Sequence, residues 1–280
     1  MSNRLFVFGL GFSGLEIARA AMVAGWPVSG CVTTAEKAVL LQRGGVDAVT
    51  FDMAGEKAAA ATHILVSIPP GEAGDPALPA CAELRPAWLG YLSTTGVYGD
   101  SGGGWVDETD TPHPTQARSR NRLAAEQAWQ AWGAAQDVPL NIFRLPAIYG
   151  TGRSALDQVR EGRAQRIDKP GQVFSRVHVA DLAQTVLASL ARGGAGAVYN
   201  VTDDDPAPQA DVIAFACELL GVPALPLVPY DEAAKRMSAM AQSFYSENRR
   251  VRNDRIKREL GIVLAYPSYR EGLRAIRESE

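Results

Sequence analysis

The run from Gly9 to Gly14 (GLGFSG) has the spacing of a dinucleotide-binding loop. It directly follows an apolar stretch, Leu5 to Phe8, and leads into a helical pattern, which is the context that such a loop requires. In this arrangement the first glycine permits a tight turn, the second lets the backbone approach a pyrophosphate, and the third lets the helix pack closely on the strand. The helix N-terminus then offers free N–H groups to the phosphates. We expect a ligand-binding loop rather than a tight turn without a ligand, with cofactor contacts from Gly9, Gly11, Phe12, Ser13 and Gly14.

The residues that follow the second predicted strand favour NADP over NAD. An NAD site usually places Asp or Glu about 20 residues beyond the glycine loop, where the carboxylate holds the ribose 2′-hydroxyl. Thr33 and Thr34 occupy that place. Their hydroxyls can hydrogen-bond a 2′-phosphate, and Lys37 can add a positive charge from the next helix, although it is equally well explained as a solvated helix residue. We therefore expect NADP as the cofactor, with NAD as the less favoured choice.

The elements that must position this loop alternate between strand and helix. Short apolar stretches typical of buried strands are found at Leu5 to Phe8, Val28 to Val32, Ala48 to Phe51, His63 to Ile68, Trp88 to Ser93 and Leu140 to Leu145. Helical patterns separate them at Gly14 to Ala24, at Ala35 to Arg43, in a stretch ending near Leu84, and at Ser119 to Gln136. The alternation predicts an α/β fold with a Rossmann-type doubly wound parallel sheet in residues 1–150.

After Gly150 the pattern changes, which predicts a smaller C-terminal substrate lobe. Helices are expected at Asp157 to Gly162, Asp181 to Leu190 and Ala210 to Leu220, with a strand at Val198 to Val201. We expect residues 176–202 to return to the Rossmann domain. Residues 151–175 and 203–280 are then expected to form the lobe.

Composition argues against several classes of protein. The 280 residues include 28 basic and 31 acidic side chains, for a net charge of -3, which gives no electrostatic footprint for nucleic acid. Cys31, Cys81 and Cys217 are far apart, so neither a disulfide framework nor a metal site is expected. The chain has neither a long apolar run nor a leader pattern, which favours a cytoplasmic protein that does not contact a membrane. We expect a monomer or homodimer with a small-molecule substrate.

Three further motifs give the chain a family resemblance. They are Tyr91 to Asp100 (YLSTTGVYGD), Phe143 to Gly150 (FRLPAIYG) and Val177 to Ala183 (VHVADLA). Together with the glycine loop they resemble the extended short-chain dehydrogenase/reductases of the NAD-dependent epimerase/dehydratase type, over roughly residues 3 to 202. The stretches Arg250 to Asn253 and Tyr266 to Leu273, with Leu260-Gly261 between them, look like an atypical bacterial subgroup of undefined function.

The resemblance also implies further cofactor contacts. Asp52, after the third strand, would hydrogen-bond the adenine, and Ser67, Ile68 and Pro69 would run beneath the cofactor. The alternatives are an ordinary Asp at the end of a strand and a rigid Pro-Pro turn.

The catalytic residues of the family are only partly present. Members pair a Ser or Thr at the end of the fifth strand with a Tyr-x-x-x-Lys motif on the next helix, in which Tyr transfers a proton and Lys lowers its pKa and holds the ribose. Thr94 matches the hydroxyl position. When Glu126 is aligned with the family's acidic residue, Arg118 falls at the Tyr position and Arg122 at the Lys position. The Tyr/Lys pair is therefore absent.

Arginine cannot act as the missing acid or base, because its pKa lies above about 12 and it offers no lone pair at neutral pH. Arg122 can still bind the ribose and Arg118 can bind an anion with its fork of donors, unless both belong to a solvated helix face with Arg120. Tyr98 is a candidate replacement acid, with packing in the Val-Tyr-Gly turn as the alternative. For His178 we expect a structural hydrogen bond rather than catalysis.

Two functional hypotheses follow from these residues. The first is an NAD(P)-dependent oxidoreductase, epimerase or dehydratase acting on a carbonyl or sugar-like small molecule, with Thr94 orienting the substrate oxygen. The second is a non-catalytic NADP-binding protein that senses the redox state of the NADP pool or presents a surface to a partner. The arginines at the Tyr and Lys positions argue against unmodified catalysis but not against cofactor binding.

Overall fold

A computed structural model describes residues 3–192 and 196–280. Its strands are β1 (Leu5–Phe8), β2 (Val28–Val32), β3 (Asp47–Thr50), β4 (His63–Val66), β5 (Trp88–Thr94), β6 (Trp105–Val106), β7 (Leu140–Leu145), β8 (Ala147–Tyr149), β9 (Arg166–Asp168), β10 (Arg176–His178), β11 (Val198–Asn200), β12 (Leu227–Pro229) and β13 (Arg250–Val251). Its helices are α1 (Phe12–Val23), α2 (Ala35–Arg43), α3 (Ala54–Ala58), α4 (Ala77–Ala80), α5 (Ala117–Gln136), α6 (Ala155–Arg160), α7 (Val179–Arg192), α8 (Gln209–Leu220), α9 (Tyr230–Ala234), α10 (Ala239–Tyr245), α11 (Asp254–Leu260) and α12 (Tyr269–Glu278).

The main sheet is parallel and has seven strands in the order β11-β7-β5-β4-β1-β2-β3. The chain runs outward from β1 to β3 and then crosses back to β4 on the other side of β1. This reversal opens a crevice at the carboxyl ends of β1 and β4, which is where open α/β sheets bind their ligands. The predicted Rossmann-type doubly wound sheet is confirmed.

Strand β1 is apolar at every position because it is covered on both faces. Leu5 and Val7 pack in one buried cluster with residues of α1 and α7, and Phe6 and Phe8 pack in a second cluster with residues of α5. All four side chains are buried, since helices cover both faces of the sheet.

A second group of helices packs beside the sheet. Helices α6, α8 and α12 share a separate apolar cluster that contains Leu156, Ile213 and Leu273. Strands β9 and β12 form a small parallel ladder next to them. We refer to this group as the lobe.

The C-terminal stretch corrects the predicted extent of the lobe. Residues 203–280 were expected to belong to it entirely, yet β13 pairs with β6, and Ile256 and Leu260 of α11 lie in the main-sheet cluster with α7. Ile262 and Leu264 extend the same contact. The chain therefore returns to the main-sheet cluster before α12, where the apolar side chains of this stretch are buried.

Several predicted bounds shift by one or two residues. Strand β4 ends at Val66 rather than Ile68, since Pro69 and Pro70 follow and cannot donate hydrogen bonds to a neighbouring strand. Strand β3 ends at Thr50, and a short 3-10 helix begins at Phe51. Helix α1 begins two residues earlier than the predicted Gly14.

Candidate active site

The three glycines of the loop differ in what the protein itself requires of them. Gly9 has a φ of +95°, in the region that favours glycine. A Cβ atom on Gly14 would lie 2.1 Å from the carbonyl oxygen of Gly9, so only glycine fits there. A Cβ atom on Gly11, in contrast, would meet no protein atom within 4 Å. Protein packing therefore explains two of the glycines and leaves the third unexplained.

The N-terminus of α1 is open toward the same space. Its cap residue is Gly11, no side chain accepts a hydrogen bond from the first turn, and that turn carries no acidic residue. Phe12 begins the helix and Ser13 follows in the first turn. The uncapped N–H groups and the positive end of the helix dipole can therefore receive an anion.

Hydrogen bonds hold the loop between β2 and β4. The amide of Leu10 donates to Cys31 O at 2.9 Å, and the amide of Ser67 donates to Phe8 O at 2.8 Å. A Cβ atom on Gly9 would lie 3.1 Å from Cγ1 of Ile68. The structure thus places Ser67 and Ile68 beside the glycine loop, with exposed Pro69 next in the chain.

The residues predicted to select the cofactor lie at neighbouring strand ends. Val32 pairs with Thr50, so Thr33 and Asp52 follow adjacent strands, and both are exposed. Thr34 caps α2, because its hydroxyl oxygen accepts the amide of Lys37 at 3.3 Å. Part of Thr34's hydrogen-bonding capacity is therefore used within the protein. The Lys37 side chain is exposed, as is the carboxylate of Glu36 beside it.

Arg122 lies against backbone carbonyl groups rather than in solvent. Its Nη1 donates to Leu92 O at 2.9 Å, to the Tyr91 hydroxyl at 3.2 Å and to Ile68 O at 3.4 Å. The arginine therefore ties α5 to the ends of β4 and β5. This geometry does not support the solvated-face alternative for Arg122, and it places the guanidinium next to Ile68 of the predicted cofactor site.

Thr94 and Arg118 share one wall of a cleft. The Thr94 hydroxyl accepts the amide of Gly96 at 3.1 Å, which leaves its proton free to donate. A Cβ atom on Gly96 would lie 2.6 Å from Oγ of Ser119 and 3.3 Å from Oγ1 of Thr94, so both hydroxyls face this glycine. The guanidinium of Arg118 lies 4.1 Å from the centre of the Phe244 ring.

Tyr98 is not in the cleft, and the expectation that it replaces the missing acid has to be corrected. Its side chain is fully buried, its hydroxyl donates to Oδ1 of Asn200 at 2.8 Å, and Arg144 donates to it at 3.0 Å. Burial raises the pKa of Tyr98. The packing alternative describes this residue.

Tyr98 belongs to a buried polar network behind the cleft. Arg144 donates to both carboxylate oxygens of Glu126, at 3.2 and 2.8 Å, and Ser93 donates to the same carboxylate. Both members of the ion pair are almost completely buried. Glu126, which set the alignment of Arg118 and Arg122, therefore anchors α5 to β5 and β7 from the inside.

The cleft itself is a cavity of about 440 Å³ between the sheet and the lobe. Thr94, Gly96, Arg118 and Ser119 line its sheet side. The remaining lining includes Tyr149, Arg153, Phe174, Arg176, Gln209, Phe244, Glu247, Arg249 and Tyr269. Such a concave site with a few polar groups is the usual form of a small-molecule pocket.

His178 and Asp181 hold the junction between the sheet and the C-terminal stretch. Nδ1 of His178 accepts the amide of Ala180 at 3.2 Å, which agrees with the structural role expected for it. Burial lowers the pKa of His178 to about 4. The Asp181 carboxylate accepts the amides of Ala265 and Tyr266 at 2.8 and 3.0 Å.

Sequence reasoning missed several residues of the cavity. Ser119 was not predicted, because the expectations for this helix concentrated on its neighbour Arg118. A polar residue next to the family's Tyr position is a signal that could have identified it. Arg153 lies 5.3 Å from the centre of the Phe12 ring, in contact with the glycine loop. Arg176 and Phe244 come from distant parts of the chain, and no local pattern links them to this site.

Comparison with known proteins agrees with this geometry. The fold matches the structure of a functionally unknown conserved protein from Silicibacter pomeroyi DSS, with a TM-score of 0.90 and 46% identity over 99% of both chains. Residues 74–202 match the family described as NAD dependent epimerase/dehydratase. Within this chain, residues 74–202 belong to the NAD-dependent epimerase/dehydratase family.

Other similar proteins include enzymes of known activity. The NAD complex of UDP-glucuronic acid 4-epimerase from Bacillus cereus matches over 98% of this chain and 96% of its own, with a TM-score of 0.76 and 19% identity, which shows a shared fold. A 3-diazoavenalumate denitrifying reductase from Streptomyces sp is 28% identical over 170 residues, 59% of this chain and 55% of the reductase. The chain thus spans about half the length of that curated relative.

Across residues 3–192 and 196–280, none of the helices combines the length and the apolar character needed to cross a membrane.

Proposed function

We propose that this family member is an NADP-dependent oxidoreductase or epimerase-like enzyme acting on a small carbonyl or sugar-like molecule. The observation that carries the proposal is Gly11, whose missing side chain leaves open space at the uncapped N-terminus of α1. Since protein packing does not require glycine there, close approach of a pyrophosphate to the backbone is the proposed reason for it.

We assign the residues around the crevice to successive parts of the dinucleotide. Gly11 and the first turn of α1 would hold the pyrophosphate, and Asp52 would accept a hydrogen bond from the adenine. Ser67 and Ile68 would lie under the cofactor. When bound, the cofactor supplies hydride transfer at its nicotinamide ring.

The choice of NADP rests on the end of β2. Exposed Thr33 and Thr34 stand where an NAD site would place a carboxylate, and Lys37 is exposed on the next helix. The solved epimerase from Bacillus cereus holds NAD, so NADP is a proposal about this chain alone.

On the substrate side, the cleft offers donors rather than an acid. Thr94 and Ser119 can donate hydrogen bonds to a substrate oxygen, and Arg118 can stabilise negative charge that develops on it. None of the three is a proton donor of the tyrosine kind. Tyr149, which also lines the cavity, donates its hydroxyl to Ser268 O at 3.3 Å, and burial raises its pKa.

Calorimetric titration with NADPH and NADH tests the cofactor proposal. The unmodified protein should bind NADPH more tightly, and Thr33→Asp should weaken NADPH binding by about 10- to 100-fold, because a carboxylate would replace a donor to the 2′-phosphate. Thr33→Asn is the control, because asparagine has the shape of aspartate without its negative charge. Tighter NADH binding by the unmodified protein would refute the choice of NADP.

Turnover assays test the consequence of the missing tyrosine. General acid/base catalysis contributes about 10²- to 10⁴-fold, so NADPH oxidation with simple carbonyls should be slow. Arg118→Tyr combined with Arg122→Lys should increase the rate if the rest of the site is intact. Fast turnover by the unmodified protein would contradict the expected slow chemistry.

A redox sensor that binds NADP without catalysis remains the second candidate, and the burial of Tyr98 favours it. The double variant separates the two functions. A sensor would bind NADPH and show no substrate-dependent oxidation before or after the substitutions.

A further inference from the structure

The cavity contains positive charge that the surrounding side chains do not neutralise. Four arginines line it, and the only carboxylate among its lining residues is Glu247, which pairs with Arg249 at 2.7 Å. Within the described ranges, Arg118, Arg153 and Arg176 have no carboxylate oxygen within 4 Å. This excess contrasts with the net charge of -3 for the whole chain.

Arg176 is the most unusual of these cations because it is only 5% exposed. Its hydrogen bonds go to neutral acceptors: Phe174 O at 2.7 Å, Ala207 O at 2.9 Å and Oε1 of Gln209 at 2.8 Å. Burial lowers the pKa of Arg176, because removing the charged guanidinium from water is unfavourable. An anion in the cavity would reduce that cost.

Asp203 is the nearby group that could be expected to serve as the counter-ion. It is also buried, but it forms no ion pair with Arg176 within 4 Å, and neither of its carboxylate oxygens has a hydrogen-bond partner in the described part of the chain. Burial raises the pKa of Asp203, which favours its neutral form. The charge of Arg176 opposes this shift and Asp203 in turn stabilises the charged guanidinium, but at a distance beyond 4 Å this compensation is only partial.

Arg118 presents a second cation on the opposite, sheet side of the cavity. Its guanidinium stacks on Phe244, which fixes the plane of its donors without satisfying them. The hydroxyls of Thr94 and Ser119 stand on the same wall. Arg153, by contrast, lies against Phe12 of the glycine loop, so its charge is better placed for the cofactor.

We propose that the cavity binds a small organic anion, a carboxylate or a phosphate ester on an apolar body, and that Arg118 determines this specificity. The inference rests on the proposed function, since it names the substrate class of the same cleft. Arg118 would pair with the anionic group through two parallel N–H donors, with Thr94 and Ser119 as neutral donors beside it. Buried Arg176 adds an attractive field from the lobe side.

The test compares probes that share a shape and differ in charge. Benzoate, phenyl phosphate and neutral benzamide are titrated calorimetrically into the protein saturated with NADPH. We expect at least one anion to bind about tenfold or more tightly than benzamide. Preference for benzoate or for phenyl phosphate distinguishes a carboxylate from a phosphate ligand.

Matched variants connect that preference to Arg118. Arg118→Gln should abolish it, whereas Arg120→Gln, on the same helix and exposed but outside the cavity lining, should leave it unchanged. Equal binding of benzoate and benzamide, no binding of either anion at millimolar concentration, or a preference that survives Arg118→Gln would each overturn the inference. Because NADPH binding is measured first in the same samples, its failure would count against the proposed function, and a failure of anion preference alone would count only against this inference.

Discussion

Substitutions at Gly11 and Gly14 separate cofactor binding from folding within one loop. Valine at position 11 would project into space that holds no protein atom within 4 Å, and the backbone there is extended, with a φ of -83° that valine tolerates. Alanine at position 14 would place its Cβ 2.1 Å from the Gly9 carbonyl oxygen. The smaller substitution is therefore expected to do more damage to the fold.

The expected magnitudes differ accordingly. Gly11→Val blocks the approach of the pyrophosphate, and the loss of two charge-assisted hydrogen bonds at about 1.5–3 kcal/mol each would weaken NADPH binding by at least about 100-fold. Its effect on stability should stay within about 1 kcal/mol, the usual cost of a poor helix cap. Gly14→Ala should cost about 1–3 kcal/mol or more through overpacking, which lowers Tm by several degrees.

Calorimetric titration of NADPH and thermal unfolding followed by circular dichroism measure the two effects on the same samples. Gly11→Val should unfold near the temperature of the unmodified protein while losing the cofactor. A folded Gly11→Val protein with unchanged NADPH affinity would show that the loop is only a turn, and the proposed function would then lose its main support.

Three further predictions concern groups around the site. Glu126→Gln should destabilise the protein by about 3–5 kcal/mol in urea unfolding, because it leaves Arg144 charged and buried without its carboxylate; an effect below about 1 kcal/mol would contradict this. Tyr98→Phe should reduce the free energy of unfolding by about 1–3 kcal/mol but leave NADPH binding and any turnover unchanged. Loss of turnover without loss of stability would show that Tyr98 is catalytic after all. Since the pKa of His178 is about 4 in the folded protein and about 6.5 when unfolded, the unfolded state binds more protons between these values, and the free energy of unfolding should fall by about 3 kcal/mol as pH drops through that window. His178→Asn should flatten this part of the pH profile, and an unchanged slope would exclude His178 as its source.

Local sequence patterns predicted the fold well because the central strands β1, β4 and β5 are buried on both faces. The LFVF run of β1 and the glycine loop after it need no distant residue to be recognised, and their positions agree with the structure. The pairing of β13 with β6 and the packing of α11 against α7 were not predicted, since nothing near Arg250 or Ile256 indicates which distant surface will cover them. Their partners, β6 and α7, are separated from them by long stretches of chain.

In the candidate site, too, residues within a local motif could be predicted and residues brought together by folding could not. The Arg118 and Arg122 substitutions were visible because a motif fixes their spacing on one helix. The position of Tyr98 was misjudged, since its neighbour Arg144 lies on another strand, and only the folded chain shows that the phenol points into the core. Arg176 and Phe244 were missed because a cavity between two parts of a protein has no linear signature.

Strand β11 affects how this protein can be divided. Its three residues cover the outer edge of β7, although they lie well beyond Gly150, where the predicted Rossmann segment ends. A fragment ending near Gly150 would leave β7 with a row of unpaired backbone N–H and C=O groups along that edge. Such an edge is a template for strand addition, so the fragment would tend to self-associate instead of behaving as a small independent domain. The cofactor half therefore depends on chain that comes after the first segment of the lobe, and a useful minimal unit would have to retain residues through Asn200.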